Sequence, residues 1–280
     1  MTTTDPQPPE EPQTPEGALA PDPAIEAAAE ALEVGNPEAA LAEAANAADP
    51  GERALMEVRA YLAMGMVQSA EGAHERAAEA LGEDDIDVVE LEGELALIHW
   101  DLERATGCFE AIADVEDDAY VAERRALLAD LAGDADASHA LMELAREFDP
   151  ERPAPLRMSA EAFAVVVEGA LADLPETFAK AVETARIVSE PMPFEALGEQ
   201  TSLGPIPPDV LGLFVGPTIH ELAEGASGEL PPTIYLFQRN LERMSIDAED
   251  LAVEIRVTLF HEIGHLLGLD EDEVAEMGLA

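Results

Sequence analysis

The sequence has few basic residues, few aromatic residues and a single cysteine. Its 280 residues include 14 lysines and arginines against 61 aspartates and glutamates, and Lys180 is the only lysine. A net charge of −47 repels nucleic acids and anionic membranes, so we expect neither as a partner. The acidic residues are spread over the whole chain. This distribution favours a cell with high internal salt over a surface for one basic partner, which stays the alternative.

The scarcity of cysteine and of long apolar runs bears on where the protein is located. Cys108 has no second cysteine to pair with, and its apolar context predicts a buried, inert thiol. No segment is apolar for long enough to span a bilayer. The N-terminal residues lack the basic and apolar regions of a secretory signal. We therefore expect a cytoplasmic protein.

Changes in composition predict four segments. Residues 1–23 are rich in proline, threonine and acid, which predicts a disordered tail. Residues 24–149 follow an alanine- and leucine-rich helical pattern. Several prolines close together predict a linker at residues 150–157, because proline cannot continue a helix. Residues 158–280 then form a second domain.

The helical pattern of residues 24–149 is interrupted at regular intervals. The breaks within helix pairs recur roughly every 30 to 36 residues, and they fall at Gly35, Gly65, Asp101 and Gly133. This period predicts stacked helix-turn-helix units that resemble tetratricopeptide-like repeats, although no unit completes that signature. An ordinary alanine-rich bundle stays the alternative. We expect Trp100, Phe109 and Tyr120 to pack in the core of this region.

The second domain alternates predicted helices with short strands. The pattern predicts a helix at 163–171, strands at 185–189, 210–215 and 232–237, and a helix at 248–267. A glycine- and proline-rich loop is expected at 195–209. Asp247 has the residue type and position of an N-cap for the last helix, with acidic residues in its first turn.

The last turns of that helix carry the motif His261-Glu262-x-x-His265. Residues four apart lie on one face of a helix, so both imidazoles can bind a single zinc ion. Glu262 can then act as a general base toward water. Gly268 allows the chain to leave the helix in a left-handed conformation and turn back, which returns the next acidic side chains toward the metal.

Residues from about 158 to 280 resemble the small bacterial zincin-like metallopeptidases, sometimes described as minimal zincins. The matching pieces are 163–178, 210–216, 230–237 and 254–265. The resemblance implies an α+β core that holds one catalytic Zn²⁺ ion. The fold class expected for the whole chain is therefore an α+β zincin-like domain preceded by an all-α helical-repeat domain.

The same resemblance implies the roles of individual residues. His261 and His265 are metal ligands, Glu262 is the base, and an acidic third ligand follows ten residues after the first histidine. That position is usually aspartate in the family and is Glu271 here. Asp270, one residue earlier, is the alternative third ligand.

These features predict a zinc-dependent metallopeptidase whose helical repeats recruit a peptide or protein substrate or another protein partner. Two alternatives stay open: an inactive zincin-like binding or scaffold protein, and a zinc hydrolase of a non-peptide amide. We expect a peptide to add as a strand beside residues 234–237. Tyr235 and His220 are candidate oxyanion groups, although core and surface roles fit them better.

Overall fold

The computed structural model describes residues 22–200, 206–225, 231–270 and 273–274. By their contacts, these residues fall into two compact units, one ending at Glu83 and the other beginning at Asp84. The predicted tail lies outside the described residues apart from Asp22 and Pro23. None of the described helices combines the length and the apolar character that crossing a bilayer requires.

The first unit consists of two helical hairpins. Its helices are α1 (Pro23–Glu33), α2 (Pro37–Ala44), α3 (Pro50–Ala63) and α4 (Val67–Leu81). The first three begin with proline directly after an aspartate or asparagine cap, an arrangement that preorganises the first turn. Small residues fill the core between α1, α2 and α3, so the helices pack closely there. The fully buried ones are Ala28, Ala40, Ala44 and Ala60.

The second unit begins with two further hairpins. Their helices are α5 (Ile86–Ile98), α6 (Leu102–Ala113), α7 (Ala119–Leu131) and α8 (Ala135–Phe148). Phe109 is fully buried among aliphatic side chains, as expected from the sequence. Cys108 is buried beside it, and burial raises the pKa of its thiol to about 11. This environment keeps the thiol protonated, in line with an inert cysteine.

All four hairpins turn in the same way. The turn residues Gly35, Gly65, Trp100 and Gly133 have φ angles of 71°, 66°, 57° and 78°. In each case the next residue's N–H donates to the carbonyl oxygen five residues earlier, the hydrogen bond of a Schellman turn. The sequence predicted the third break at Asp101. In the structure the turn residue is Trp100, one position earlier. The N-terminal region is helical and consistent with a repeat array; its tetratricopeptide-like character stays a prediction.

The rest of the second unit is a small α+β region, which confirms the predicted fold class. Its helices are α9 (Ala160–Ala172), α10 (Glu176–Val182), α11 (Ile219–Ala223), α12 (Gln238–Met244) and α13 (Ala248–Leu267). Its strands are β1 (Arg186–Glu190), β2 (Gly212–Val215) and β3 (Thr233–Phe237). A 3₁₀ helix spans Glu195–Gln200, in the region predicted to be a loop.

The three strands form one mixed sheet in the order β1-β3-β2. β1 pairs with β3 in parallel and β2 pairs with β3 antiparallel, with Gly212 opposite Leu236. β3 is therefore central, and both of its sides are already paired. The expectation that a peptide adds beside residues 234–237 is wrong, because only β1 and β2 have an unpaired side among the described strands.

The two faces of β3 pack against different cores. Ile234 and Leu236 are buried in the main cluster, together with Leu259 and Ile263 of α13. Phe237 lies in the cluster on the other face, with Leu213 and Val215 of β2 packed nearby. The sheet thus lies against α13 with one face, and β2 and β3 both contact that helix.

A buried arginine–carboxylate cluster connects α7 to α12. Asp130 accepts from Arg243 at 2.7 Å and from Arg157 at 3.0 Å. Glu242 accepts from Arg239 at 2.6 Å and pairs with Arg157 at 3.4 Å. Burial lowers the pKa of Arg243, and both carboxylates are almost fully buried. The predicted domain boundaries at 149 and 158 stay predictions.

Candidate metal centre

The motif helix α13 has the bounds that its capping residues predict. The side chain of Asp247 accepts hydrogen bonds from the N–H groups of Glu249 and Asp250 at 2.9 and 3.0 Å. At the other end Gly268 has a φ of 92°, and its N–H donates to the carbonyl oxygen of His265. Glycine adopts this left-handed conformation without steric cost, so the helix ends at Leu267, two residues after the motif.

His261 and His265 present their ring nitrogens to each other. Their Nε2 atoms are 3.0 Å apart, and the two ring planes are inclined at 80°. Nδ1 of His265 lies 3.1 Å from the carbonyl oxygen of Leu269. A carbonyl oxygen can only accept, so Nδ1 carries the proton and Nε2 of a neutral His265 has its lone pair exposed toward His261.

This donor pair fits a zinc ion. Two nitrogen ligands bound to one tetrahedral zinc at the usual Zn–N distance are roughly 3.3 Å apart, close to the observed separation. The backbone carbonyl that holds the other nitrogen of His265 is the usual second contact of a metal-binding histidine. Residues 261 and 265 therefore have the spacing that one shared metal ion requires, and His265 has the tautomer that leaves its Nε2 atom available to the metal.

Glu262 is buried between the motif helix and the edge strand β2. Only 6% of the residue is exposed. A Cβ atom at Gly212 of β2 would lie 3.1 Å from Cγ of Glu262 and 2.5 Å from Cγ2 of Thr258. The strand can approach the helix this closely only because residue 212 has no side chain, so Gly212 helps to define the space around Glu262.

The chain after the motif helix turns back onto it. Val274 is fully buried, and a Cβ atom at Gly264 would lie 2.8 Å from its Cγ2 atom. Asp270 is exposed, and its Oδ1 atom accepts from the N–H of Glu273 at 2.9 Å. The Asp270 carboxylate thus caps the turn that begins the return of the chain.

The predicted third ligand, Glu271, lies outside the described residues. Within the part of the chain that the structure does describe, no third histidine, cysteine, aspartate or glutamate joins the two histidines in a group suited to a metal ion. The structure therefore brings together His261 and His265, with Glu262 on the same helix, and leaves the third position to prediction.

The two candidate oxyanion groups, Tyr235 and His220, contact residues outside the His261–His265 motif. Tyr235 stacks on Phe237 with centroids 6.3 Å apart and meets Phe194 edge-on, on the sheet face opposite α13. His220 is exposed on α11, where it lies 3.4 Å from a carboxylate oxygen of Glu224. Tyr235 therefore packs among aromatic side chains and His220 lies at the surface, the roles that the sequence analysis favoured.

The close approach at Gly212 is a feature that the sequence motifs did not reveal. Its signal was present in the sequence, because an isolated glycine inside a predicted strand indicates close backbone contact. The Leu269 carbonyl could not be found in this way, since a backbone group leaves no mark on residue type.

Comparison with known proteins gives one match. Residues 182–279 match the family described as zincin-like metallopeptidase, which is rather over a third of the chain. The matched range contains all three strands and the whole of α13. No curated protein matches the chain. The C-terminal region is therefore similar to zincin-like metallopeptidases.

Proposed function

We propose that the C-terminal region is a zinc-dependent peptidase in which His261, His265 and Glu271 hold the metal. One observation carries this proposal: the Nε2 atoms of the two histidines converge to 3.0 Å while a carbonyl group orients one ring. The similarity of residues 182–279 to zincin-like metallopeptidases supports the same chemistry. When bound, zinc would supply Lewis acidity, which polarises a carbonyl group and makes water more acidic.

Glu262 is the general base in this proposal. Its carboxylate takes a proton from the attacking water, whose oxygen forms a bond to the carbonyl carbon of the peptide. As the C–N bond breaks, Glu262 passes that proton to the leaving nitrogen. Burial against Gly212 supports this role, because a carboxylate packed between a helix and a strand has few conformations available to it.

Asp270 is a poor candidate for the third ligand. Its Oδ1 atom already accepts a hydrogen bond from the Glu273 N–H, and its side chain is exposed. Glu271 occupies the position that holds the acidic ligand in the family, so we assign the third ligand to Glu271.

The free side of β2 is the proposed place for a peptide substrate. β2 is an edge strand, and it contacts the motif helix at Thr258 and Glu262 through Gly212. An extended peptide that pairs with β2 would gain main-chain hydrogen bonds beside the motif. The helical hairpins would recruit a substrate or a protein partner, and the charge of −47 favours basic segments at low salt.

The test combines metal content with turnover. Elemental analysis of the zinc-treated protein should give one zinc per chain for the wild type and for Glu262→Gln, and far less for His265→Ala. On a peptide library read by mass spectrometry, Glu262→Gln should cleave about 10²- to 10⁴-fold more slowly than the wild type.

The control is His220→Ala, which removes an exposed histidine of α11 that pairs with Glu224. It should keep both zinc and turnover. Wild-type protein that takes up no zinc at neutral pH would reject the proposal. Zinc binding without cleavage of any peptide would instead favour the binding-protein alternative, and cleavage of non-peptide amides alone would favour the amide hydrolase.

A further inference from the structure

Trp100 is a departure from the repeated turn of the helical hairpins. The other three hairpins have glycine at this position, with φ between 66° and 78°, whereas Trp100 has a φ of 57°. Its backbone makes the same two hydrogen bonds as the glycines, with Trp100 N–H donating to Leu97 and Asp101 N–H to Ala96. A large side chain is disfavoured in the left-handed region. Strain of this kind points to a task performed by the side chain.

The indole of Trp100 holds a distant segment of the chain. Its Nε1–H donates to the carbonyl oxygen of Ile206 at 2.8 Å, across 106 positions of sequence. Ile206 is 5% exposed and belongs to the same cluster as Leu213 and Val215 of β2. The segment anchored by this hydrogen bond therefore leads directly into the edge strand.

Arg124 of α7 holds the same segment at a second point. Its Nη1–H donates to Asp209 at 2.9 Å. Glu94 and Tyr120 fix the arginine: Nε lies 2.9 Å from the Glu94 carboxylate and donates to the Tyr120 hydroxyl oxygen at 2.9 Å. Burial lowers the pKa of Arg124, but its interactions with Glu94, Tyr120 and Asp209 together outweigh burial and raise the pKa above its ordinary value. The guanidinium is thus a fixed, charged anchor supplied by the helical hairpins.

Asn240 of α12 attaches the same segment to the α+β region. Its amide group donates to the carbonyl oxygens of Pro208 at 3.0 Å and Val210 at 2.7 Å. Residues 206–210 are therefore attached to α5–α7 and to the α+β region at the same time. Two residues later, Gly212 touches the motif helix at Thr258 and Glu262.

We propose that Trp100 and Arg124 are positioning residues, which fix the edge strand β2 beside the motif so that a peptide pairing with β2 is presented to it. Through these two residues the helical hairpins affect how the peptide binds to β2. This inference rests on the proposed function. Trp100 and Arg124 affect the binding of the peptide, whereas metal binding depends on the motif helix.

Hydrogen exchange tests the positioning without any need for activity. In the full-length protein, Trp100→Phe removes the N–H donor and Arg124→Gln removes the ion pair. Each should make the amides of residues 211–215 exchange roughly fivefold faster, the factor expected for loss of one hydrogen bond. The amides of β1 should exchange as in the wild type. The control is Arg104→Gln, which removes an exposed arginine of α6 that pairs with Glu92 and should change neither segment.

Exchange in residues 211–215 that is unchanged in both variants overturns the proposal. Faster exchange in β1 and β2 alike also overturns it, since that result describes general destabilisation. Zinc content is measured in parallel. Absence of zinc binding by the wild type would reject the proposed function. The exchange rates test the anchoring of β2 whether or not zinc binds.

Kinetics of the zinc-loaded protein then test the consequence for the substrate. Both variants should raise KM for a cleaved peptide roughly fivefold while kcat changes less than twofold, because the motif helix is untouched. An equal loss in kcat with unchanged KM contradicts the positioning role. Since Trp100 is the only tryptophan, its fluorescence offers a second readout. Binding of that peptide to the Glu262→Gln protein should shift the emission, and an unchanged spectrum at saturation counts against the coupling.

Discussion

Gly212 is the residue on which the contact between β2 and the motif helix depends. A methyl group at this position would lie 2.5 Å from Cγ2 of Thr258, well inside van der Waals contact. We predict that Gly212→Ala lowers the free energy of unfolding by about 1–3 kcal/mol, the usual cost of overpacking. Urea unfolding followed by the emission of Trp100 measures this change, because Trp100 lies in the same unit.

A second substitution identifies the cause. Thr258→Ser removes the methyl group that clashes, so the double variant Gly212→Ala/Thr258→Ser should recover a large part of the lost stability. Gly107→Ala is the matched control, since Gly107 lies in α6 and a methyl group there would have nothing within 4 Å. It should be neutral or stabilising by up to about 1 kcal/mol, as alanine favours a helix over glycine. Additive effects at positions 212 and 258 would contradict a steric contact.

The identity of the third metal ligand can also be tested by single substitutions. We predict that Glu271→Ala weakens zinc binding by at least about tenfold, as loss of a direct ligand or its support does. Asp270→Ala should have a smaller effect, because its carboxylate caps the turn at Glu273. Competition with a fluorescent zinc chelator measures both affinities. A larger loss for Asp270→Ala would move the ligand to that residue and leave the roles of His261 and His265 intact.

At the scale of secondary-structure elements, local signals predicted the structure best. α13 runs from Ala248 to Leu267, as its aspartate cap and terminal glycine indicated. The three strands lie within two residues of their predicted bounds at either end. The short helices α10, α11 and α12 were missed, because one or two turns carry too little periodicity to be seen.

Non-local contacts set the limit of what the sequence could predict. The central place of β3 depends on pairing with β1 and β2 from distant parts of the chain, so the edge strand was assigned wrongly. Trp100 was expected to pack in the core. Its hydrogen bond to Ile206 could not be predicted, because the two residues lie 106 positions apart in sequence. For the candidate site, residue types and spacing predicted the two histidines and Glu262. The isolated glycine at 212 indicated a close contact, but the partners in that contact, Thr258 and Glu262, could be found only from the fold.

The buried cluster between α7 and α12 stabilises the second unit through Asp130. This carboxylate faces Arg157 and Arg243, and only 2% of its side chain is exposed. We predict that Asp130→Asn lowers the free energy of unfolding of this unit by about 3–5 kcal/mol, because the largely buried Arg243 loses its counter-charge and Arg157 keeps only its 3.4 Å contact with Glu242. Thermal or urea unfolding monitored by Trp100 emission measures the effect.

The matched control is an exposed pair. Glu176→Gln breaks the contact with Lys180, whose side chain is 70% exposed, and should change stability by less than about 1 kcal/mol. Equal effects of the two substitutions would mean that the buried cluster contributes no more than a surface ion pair.

At the scale of the whole molecule, the charge of −47 opposes folding through self-repulsion. Raising the ionic strength from 0.1 M to 1 M shortens the screening length from about 10 Å to about 3 Å. We predict that the melting temperature rises over this range, as measured by calorimetry. Potassium and sodium chloride should act alike, because screening depends on ionic strength.

A melting temperature that stays flat or falls with salt would count against an origin in salt-rich cells. It would instead favour a basic partner that neutralises the surface. In that case a polycationic peptide should raise the melting temperature at low salt, and potassium chloride should reverse the gain.

The capping of α13 has a further consequence in terms of its macrodipole. The helix has 20 residues, so its aligned peptide units extend over roughly 30 Å. Glu249 and Asp250 compensate the positive end in the first turn, while the negative end falls in the last turn, where His265 lies. The peptide groups of α13 thus direct a negative potential toward the two imidazoles. The backbone itself favours a cation there, before any acidic side chain completes the site.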